Sequence, residues 1–326
     1  MKKLTIFTLL LAGVFTFTAC GDDDNDFNLG GGQVVPLPDT SDKTSSNSNS
    51  GGADPEVLQR LEFPKTSEVN GSFVIVHRTQ LYAGGPQNDI NYCVEWDPTI
   101  HAQRWCCYQM TKNTNKKAVE RRSNRGYKGS LDAASLYPND QDIDSKYHFT
   151  SDPFGGSGYD HGHICPSNDR VGTLTANDQT FYMTNMMPQV NAFNAGIWSK
   201  MELQVNSWAN NSGIDTLYVV KGGTISGNGN VIKYLGSGQN KIPVPKYFFM
   251  AVLAKRKNET IHSGIGFWIE HDGSISSSSD LTKYAKNIDE IEQLTGLDLF
   301  CSLPDSEEEY VEAMPIENLK AVWQLR

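Results

Sequence analysis

Two histidines on either side of a glycine, with two asparagines and a glutamate downstream, are the residues of this 326-residue chain best placed to do chemistry. Asp160-His161-Gly162-His163 opens the stretch. Asn185-Met186-Met187-Pro188-Gln189 lies in its middle, and Asn194, Trp198 and Glu202 close it. On an extended strand, residues i and i+2 share a face, so His161 and His163 point together and Gly162 leaves the other face bare. Two chemistries fit the pair. Both imidazoles can chelate one metal, as in many zinc hydrolases. Alternatively one is a general base with its pKa near working pH, and the other a neighbouring cation or donor.

The closing segment supplies geometry. Phe193, Ile197, Met201, Val205 and Trp208 recur at helical spacing and form an apolar stripe. Asn194, Trp198 and Glu202 advance by about 40° each beside that stripe. An amide and a carboxylate two turns apart then face one ion and its waters. Oxygen ligation with a retained hydration shell suits Mg²⁺.

In this order and spacing, Asp-x-Gly-His, Asn-x-x-Pro-Gln and Asn-x-x-x-Trp-x-x-x-Glu together resemble the DNA/RNA non-specific endonucleases of the ββα-metal class, to which endonuclease G belongs. The resemblance runs over about residues 71–305 and includes 105–108, the Tyr218-Val219-Val220 strand, Ile242-Pro243-Val244-Pro245 and Thr295-Gly296-Leu297-Asp298. It implies that His163 is the general base that deprotonates the attacking water. It makes Asn194 the one direct metal ligand, Glu202 a carboxylate acting on the metal through water, and Asn185 an amide that helps set the site. The implied activity is cleavage of DNA and RNA to 5′-phosphate and 3′-hydroxyl ends, with Mg²⁺, Mn²⁺ or another divalent ion as cofactor. Contacts to phosphate and sugar would leave sequence unread. One departure stands out. The family's Arg between Asp and Gly is His161 here, and an imidazole offers one donor where guanidinium offers a charged fork. Activity should then depend more on pH, or on another base. For the family's separate phosphate-binding arginine the candidates are Arg121, Arg122 and Arg125, of which Arg122 is preferred. Asp160 is expected to anchor its strand, and Cys165 to pack.

The elements that must position these residues read as strands, one site helix, more strands and a late helix. Residues 73–77, 92–96, 103–110, 216–220, 246–254 and 265–270 are β-rich. Asn287 to Glu290 has capping-box spacing, Gly296 ends that helix, and Gly213 is expected to cap the site helix. The fold class is α+β, a mixed and mainly antiparallel sheet carrying a ββα-metal site. In the simplest hairpin register Cys93 faces Cys106, so a cross-strand disulfide is conceivable, although sequence does not give the register.

The chain's net charge of −10 argues against a polyanionic substrate only at first sight. Residues 21–70 hold −7 and the first twenty +2, leaving −5 for residues 71–326. Lys112, Lys116, Lys117, Arg121, Arg122, Arg125 and Lys128 fall in one short segment opposed by Glu120 alone, a candidate phosphate-binding edge.

Residues 1–19 read as a lipoprotein signal peptide, with Lys2 and Lys3 before an apolar run and small residues before Cys20. Residues 20–70, acidic and rich in Gly, Ser and Asn, read as a flexible tether with Cys20 lipidated. The expected location is the cell envelope, anchored to the outer membrane and exposed at the surface if the acidic run after Cys20 is an export signal. Residues 71–326 form one domain. A homodimer and an inhibitor protein are partner classes left open. Two rival functions remain: a zinc phosphoesterase using His161 and His163, and a non-catalytic nucleic-acid-binding lipoprotein on the same scaffold.

Overall fold

The computed structural model describes residues 37–49, 54–67 and 71–325, so the expected signal peptide and the expected lipidated Cys20 lie outside the described residues. The strands are β1 (Phe73–Thr79), β2 (Asp89–Asp97), β3 (Ala102–Met110), β4 (Ser130–Leu131), β5 (Tyr137–Pro138), β6 (Asp160–His163), β7 (Met186–Gln189), β8 (Ile214–Gly223), β9 (Val231–Leu235), β10 (Ile242–Pro245), β11 (Tyr247–Arg256), β12 (Ser263–Glu270) and β13 (Ala285–Lys286). Seven of them form one sheet in the order β1-β2-β3-β8-β11-β12-β13, with every neighbouring pair antiparallel. The α+β expectation holds.

Strand periodicity explains how the sheet acquires two covered faces. Along β11, Phe248, Met250, Val252 and Ala254 join the core beneath the site helix. Phe249, Ala251 and Leu253, on the opposite face, join a second core. Residues alternate faces along a strand, so a continuous apolar run is what a sheet buried on both sides requires. The first core receives Phe193, Ile197, Trp198, Met201, Val205 and Trp208, the stripe expected from the sequence. The second is closed by Ile288 and Ile291 from the helix Ile288–Thr295, by Leu297, Leu299 and Phe300, and by Val57 and Phe63. That helix has the capping box of Asn287 with Glu290 and ends at Gly296 in the left-handed conformation, φ 70°.

Val57 and Phe63 correct the expected tether. Phe63 is fully buried, with its ring 4.9 Å from that of Trp105 and edge-on to it. Lys65 N donates to Asp298 O at 2.8 Å, and Ser45 Oγ donates to Leu303 O at 2.7 Å. The described parts of the expected tether therefore dress the domain's second face. Composition averaged over fifty residues hid a few apolar side chains that an uncovered sheet face can bury.

Two local expectations also change. Cys93 pairs with Cys107, not Cys106, because the β2–β3 register shifts between Glu95 and Trp96. Cys93, Cys106, Cys107, Cys165 and Cys301 are all buried free thiols. The site helix ends at Ala209 with Asn210 as its cap, so Gly213 lies beyond it. Among the described residues no helix is long and apolar enough to cross a membrane.

Candidate active site

Motifs distant in sequence meet in a small antiparallel ribbon. β6 pairs with β7 in the register Asp160↔Gln189, His161↔Pro188, Gly162↔Met187 and His163↔Met186. Gly162 is required by close approach, since a Cβ there would lie 2.4 Å from the buried Gln189 side chain. Asn185 locks the ribbon's exit: its Nδ2 donates to Cys165 O and Thr180 O at 2.9 and 2.7 Å, and its Oδ1 accepts from Cys165 N at 2.8 Å. This fully buried amide holds backbone and does not face the cavity, so its role here is positional. Cys165 is packing, as expected.

The ribbon and the site helix enclose an open cavity of about 620 Å³, lined among others by His161, His163, Asn194, Glu202, Arg121 and Lys117. Both histidines share this face, as strand alternation dictates. Their surroundings differ. The His163 ring packs edge-on against Phe181, with centroids 4.6 Å apart. Its Nε2 is buried without a hydrogen-bond partner. Burial lowers its pKa to about 3, with Arg121, His161 and Lys221 acting in the same direction and the His161 backbone hydrogen bond opposing. That backbone contact favours a proton on the other ring nitrogen and leaves Nε2 as an acceptor. His163 is thus a neutral imidazole with an unused lone pair.

His161 is held quite differently. Its ring is stacked between Tyr137, at 3.9 Å and 5°, and Phe154, at 4.1 Å and 23°. Its Nε2 lies 3.2 Å from Asp152 Oδ2. Burial raises the Asp152 pKa, but hydrogen bonds from His161 and Ser130 outweigh this and hold the carboxyl below its usual range. The expectation that His161 stands in for a phosphate-binding arginine is corrected: its donor is directed at a carboxylate.

On the site helix, Asn191–Phe193 leads into a π-helical turn, Asn194–Trp198, and then into the α-helix Ser199–Ala209. Gly196 departs from helical geometry with φ −97° and ψ −111°. Asn194 and Glu202 therefore do not lie on one regular helix, although both reach the cavity. The wide turn sits where a functional amide is presented, a common use of such turns. Asp160 Oδ2 accepts from Asn191 Nδ2 and Asn194 Nδ2, each at 2.9 Å. With its amide nitrogen so committed, Asn194 keeps its oxygen for the cavity. Asp160 thus anchors the helix amide as well as its own strand.

Glu202 meets a partner that sequence reasoning missed. Lys221, fully buried on β8, places Nζ 2.5 Å from Glu202 Oε1 and 4.6 Å from the centre of the Trp198 ring. Burial raises the Glu202 pKa, and Lys221 opposes the rise. The signal was legible as a lysine inside the apolar run 217–223. Asp169 was missed too. It lines the cavity, accepts from Asn206 Nδ2 at 2.9 Å through Oδ1, and leaves Oδ2 buried without a partner.

Arg122 is the second correction. It is buried, its guanidinium donating to Ser135 O at 2.5 Å and to Leu136 O and Ala133 O at 3.2 Å, with Asp178 at 3.3 Å. Arg125 also pairs with Asp178. Arg121 instead lines the cavity, exposed, its Nε 2.6 Å from Ser167 Oγ. Sequence could not separate adjacent arginines, because a short 3₁₀ turn at Arg122–Asn124 sends them to opposite sides.

Among the described residues, two groups of three ligand-type side chains lie close enough to share an ion: His77 with Asp140 and Asp142, and Asp289 with Glu292 and Glu312. Neither contains His161 or His163, which counts against a two-histidine zinc centre.

The family model for DNA/RNA non-specific endonucleases matches residues 81–306. The mitochondrial nuclease EXOG of Xenopus laevis is 23% identical over 219 residues, covering 66% of this chain and 58% of that protein. Nuclease C1 of Cunninghamella echinulata is 29% identical over 52% of this chain and 68% of its own length. A nuclease of Nostoc is 32% identical over 50% and 58%. The chain thus spans about three fifths of the EXOG and Nostoc proteins that it matches. The crystal structure of an EndoG/EndoGI complex superposes with a TM-score of 0.55 at 21% identity, over 65% of this chain and 84% of that one, a likeness of fold.

Proposed function

The chain belongs to the DNA/RNA non-specific endonuclease family, and from that premise we propose that it is a divalent-metal-dependent endonuclease that hydrolyses DNA and RNA at the cavity between β6 and the site helix. The observation that carries this reading is the orphaned Nε2 of His163, in a wall shared with Asn194 and Glu202. A buried acceptor without a partner is costly unless something uses it.

His163 Nε2 takes a proton from water as the water oxygen bonds to phosphorus. The bond from phosphorus to the 3′-oxygen breaks, and that oxygen gains a proton from solvent, giving 5′-phosphate and 3′-hydroxyl ends. The anionic substrate opposes the positive groups that now depress the His163 pKa, so binding raises its basicity. Arg121 and Lys117 hold phosphate oxygens. Asn194 through its oxygen, and Glu202 through water, are the residues that would hold the ion. Their hard oxygen donors fit Mg²⁺ or Mn²⁺. When bound, the ion supplies positive charge to the phosphoryl oxygens as negative charge builds there. Lys221 keeps Glu202 oriented and opposes the rise in its pKa that burial causes, and Asn185 and Asp160 position the histidine and the amide. Recognition through phosphate accounts for indifference to sugar and sequence.

Within the same proposal, residues 1–20 direct the chain to lipid anchorage through Cys20, at the outer membrane and facing external nucleic acid. A nuclease kept outside the producing cell needs no resident inhibitor, although an inhibitor and a second copy of the chain remain candidate partners. The test is digestion of plasmid and of RNA by the unmutated chain, by His163→Ala and by Asn194→Ala, each with Mg²⁺ and with chelator. Cleavage of both nucleic acids that chelator and either substitution abolish is the expected result. Failure of the unmutated chain to cut under any divalent ion would overturn the enzyme reading.

A further inference from the structure

Behind one residue of the cavity wall stands a lysine that the cleavage chemistry does not use. Tyr159, immediately before Asp160, lines the cavity, and the Lys233 ammonium lies 4.8 Å from the centre of its ring. Lys233 is exposed on β9, which with β10 forms a two-stranded ribbon beside β7. Arg122 and Arg125 are neutralised by Asp178. Lys233, by contrast, takes part in no ion pair with a carboxylate among the described residues.

The ribbon is fixed in place. Asn240, at its turn, accepts from the backbone N–H groups of Thr150 and Ser151 at 2.7 and 3.0 Å, and Gln239 Nε2 donates to His148 O at 3.0 Å. Gly236 holds φ +64°, and a Cβ there would lie 2.2 Å from Asn240 O, so the turn is closed as only glycine permits. The ribbon is thereby tied to the segment that supplies Asp152 and Phe154 to His161. Lys233 is therefore an uncompensated cation on a rigid support, next to a cavity built for a polyanion, in a chain of net charge −10.

We propose that Lys233, carried on the Tyr159 ring at the cavity wall, is a second phosphate subsite that takes a backbone phosphate flanking the scissile one. The inference rests on the nuclease reading and deepens it. Because the ammonium already covers the Tyr159 face, the tyrosine supports the cation and is not a free stacking surface. The subsite reads charge and not sequence, as in grooves that track a nucleic-acid backbone.

The test measures binding of a short fluorescein-labelled single-stranded oligodeoxynucleotide to the full chain carrying His163→Ala, across a salt series. Adding Lys233→Gln is expected to weaken binding about fourfold at 0.15 M salt and to reduce the slope of log Kd against log salt by about 0.7, the counterion release of one phosphate contact. Lys257→Gln is the charge control, an exposed lysine of the β11–β12 turn that, unlike Lys233, does not rest on a ring of the cavity wall, and it is expected to leave the slope unchanged. A slope indifferent to Lys233→Gln, or equally reduced by Lys257→Gln, overturns the subsite. An unmutated chain that cuts neither DNA nor RNA removes the nuclease reading itself. An active chain with an indifferent slope removes only the subsite.

Discussion

Burial sets the protonation state of His163 and, in the proposed reaction, its capacity to act as a base. A histidine kept neutral with its pKa near 3 weakens the fold in acid, because the unfolded chain takes up a proton from about pH 6.5 downward and the folded chain does not. His163→Gln should therefore gain thermal stability relative to the parent as pH falls from 6.5 toward 3, with little difference at pH 7.5. A melting series in which the two chains keep a constant gap would contradict the burial argument. The same substitution should lower kcat by about 10²- to 10⁴-fold at neutral pH, the usual contribution of a general base. Arg121 and Arg122 offer a sharper contrast. Arg121→Ala removes an exposed cation from the cavity and should raise KM while leaving the melting temperature in place. Arg122→Ala breaks a buried, hydrogen-bonded ion pair and should cost about 3 kcal/mol of stability. Denaturant titrations and steady-state kinetics on the pair would show those effects exchanged if the side chains sat the other way round.

At the scale of elements, the site depends on two places where regular geometry gives way. The first is the β6–β7 ribbon, where Gly162 permits Gln189 to cross at contact distance. Gly162→Ala forces that side chain or the ribbon to move and should cost about 1–3 kcal/mol. It should also lower kcat, because His163 is on the next residue. Retained kcat together with wild-type stability would show that the ribbon yields freely. The second is the π-helical turn that presents Asn194. Beneath it, Lys221 on β8 fixes Glu202 from the sheet side. Lys221→Met is expected to destabilise the fold by about 3 kcal/mol, less than a fully dry pair would lose because the Glu202 side chain keeps 20% exposure. It should raise the divalent-ion concentration needed for half-maximal cleavage as the Glu202 carboxylate loses its fixed orientation.

Across the described fold, one sheet serves two cores, and the candidate site lies over the first of them. The second is closed in part by Val57 and Phe63, so the described residues 54–67 belong to the folded unit. Phe63→Ala should cost about 3–5 kcal/mol without altering kcat at temperatures where the chain remains folded. Measured by thermal melts and initial rates, a neutral effect on stability would return that stretch to the role of a tether. Cys93 and Cys107, partners in the β2–β3 register, both face the second core, while Cys106 and Cys165 face the first, so a Cys93–Cys106 bond would have to cross the sheet.

The α+β class and the meeting of Asp160, His163, Asn194 and Glu202 at one cavity were legible in the sequence, because strand alternation and a helical stripe are local properties carried by neighbouring residue types. The family resemblance added the roles. Beyond that reach lay every feature that depends on a partner far along the chain. Arg121 and Arg122 exchanged roles because a short turn decides which guanidinium meets Asp178. His161 was claimed by Asp152 and two aromatic rings, Lys221 reached Glu202 across the sheet, and Phe63 found a face that composition could not foresee. Local periodicity is written in sequence. The identity of a buried charge's counterion is decided by which surfaces the fold brings together, since only desolvation and contact distance make that pairing matter.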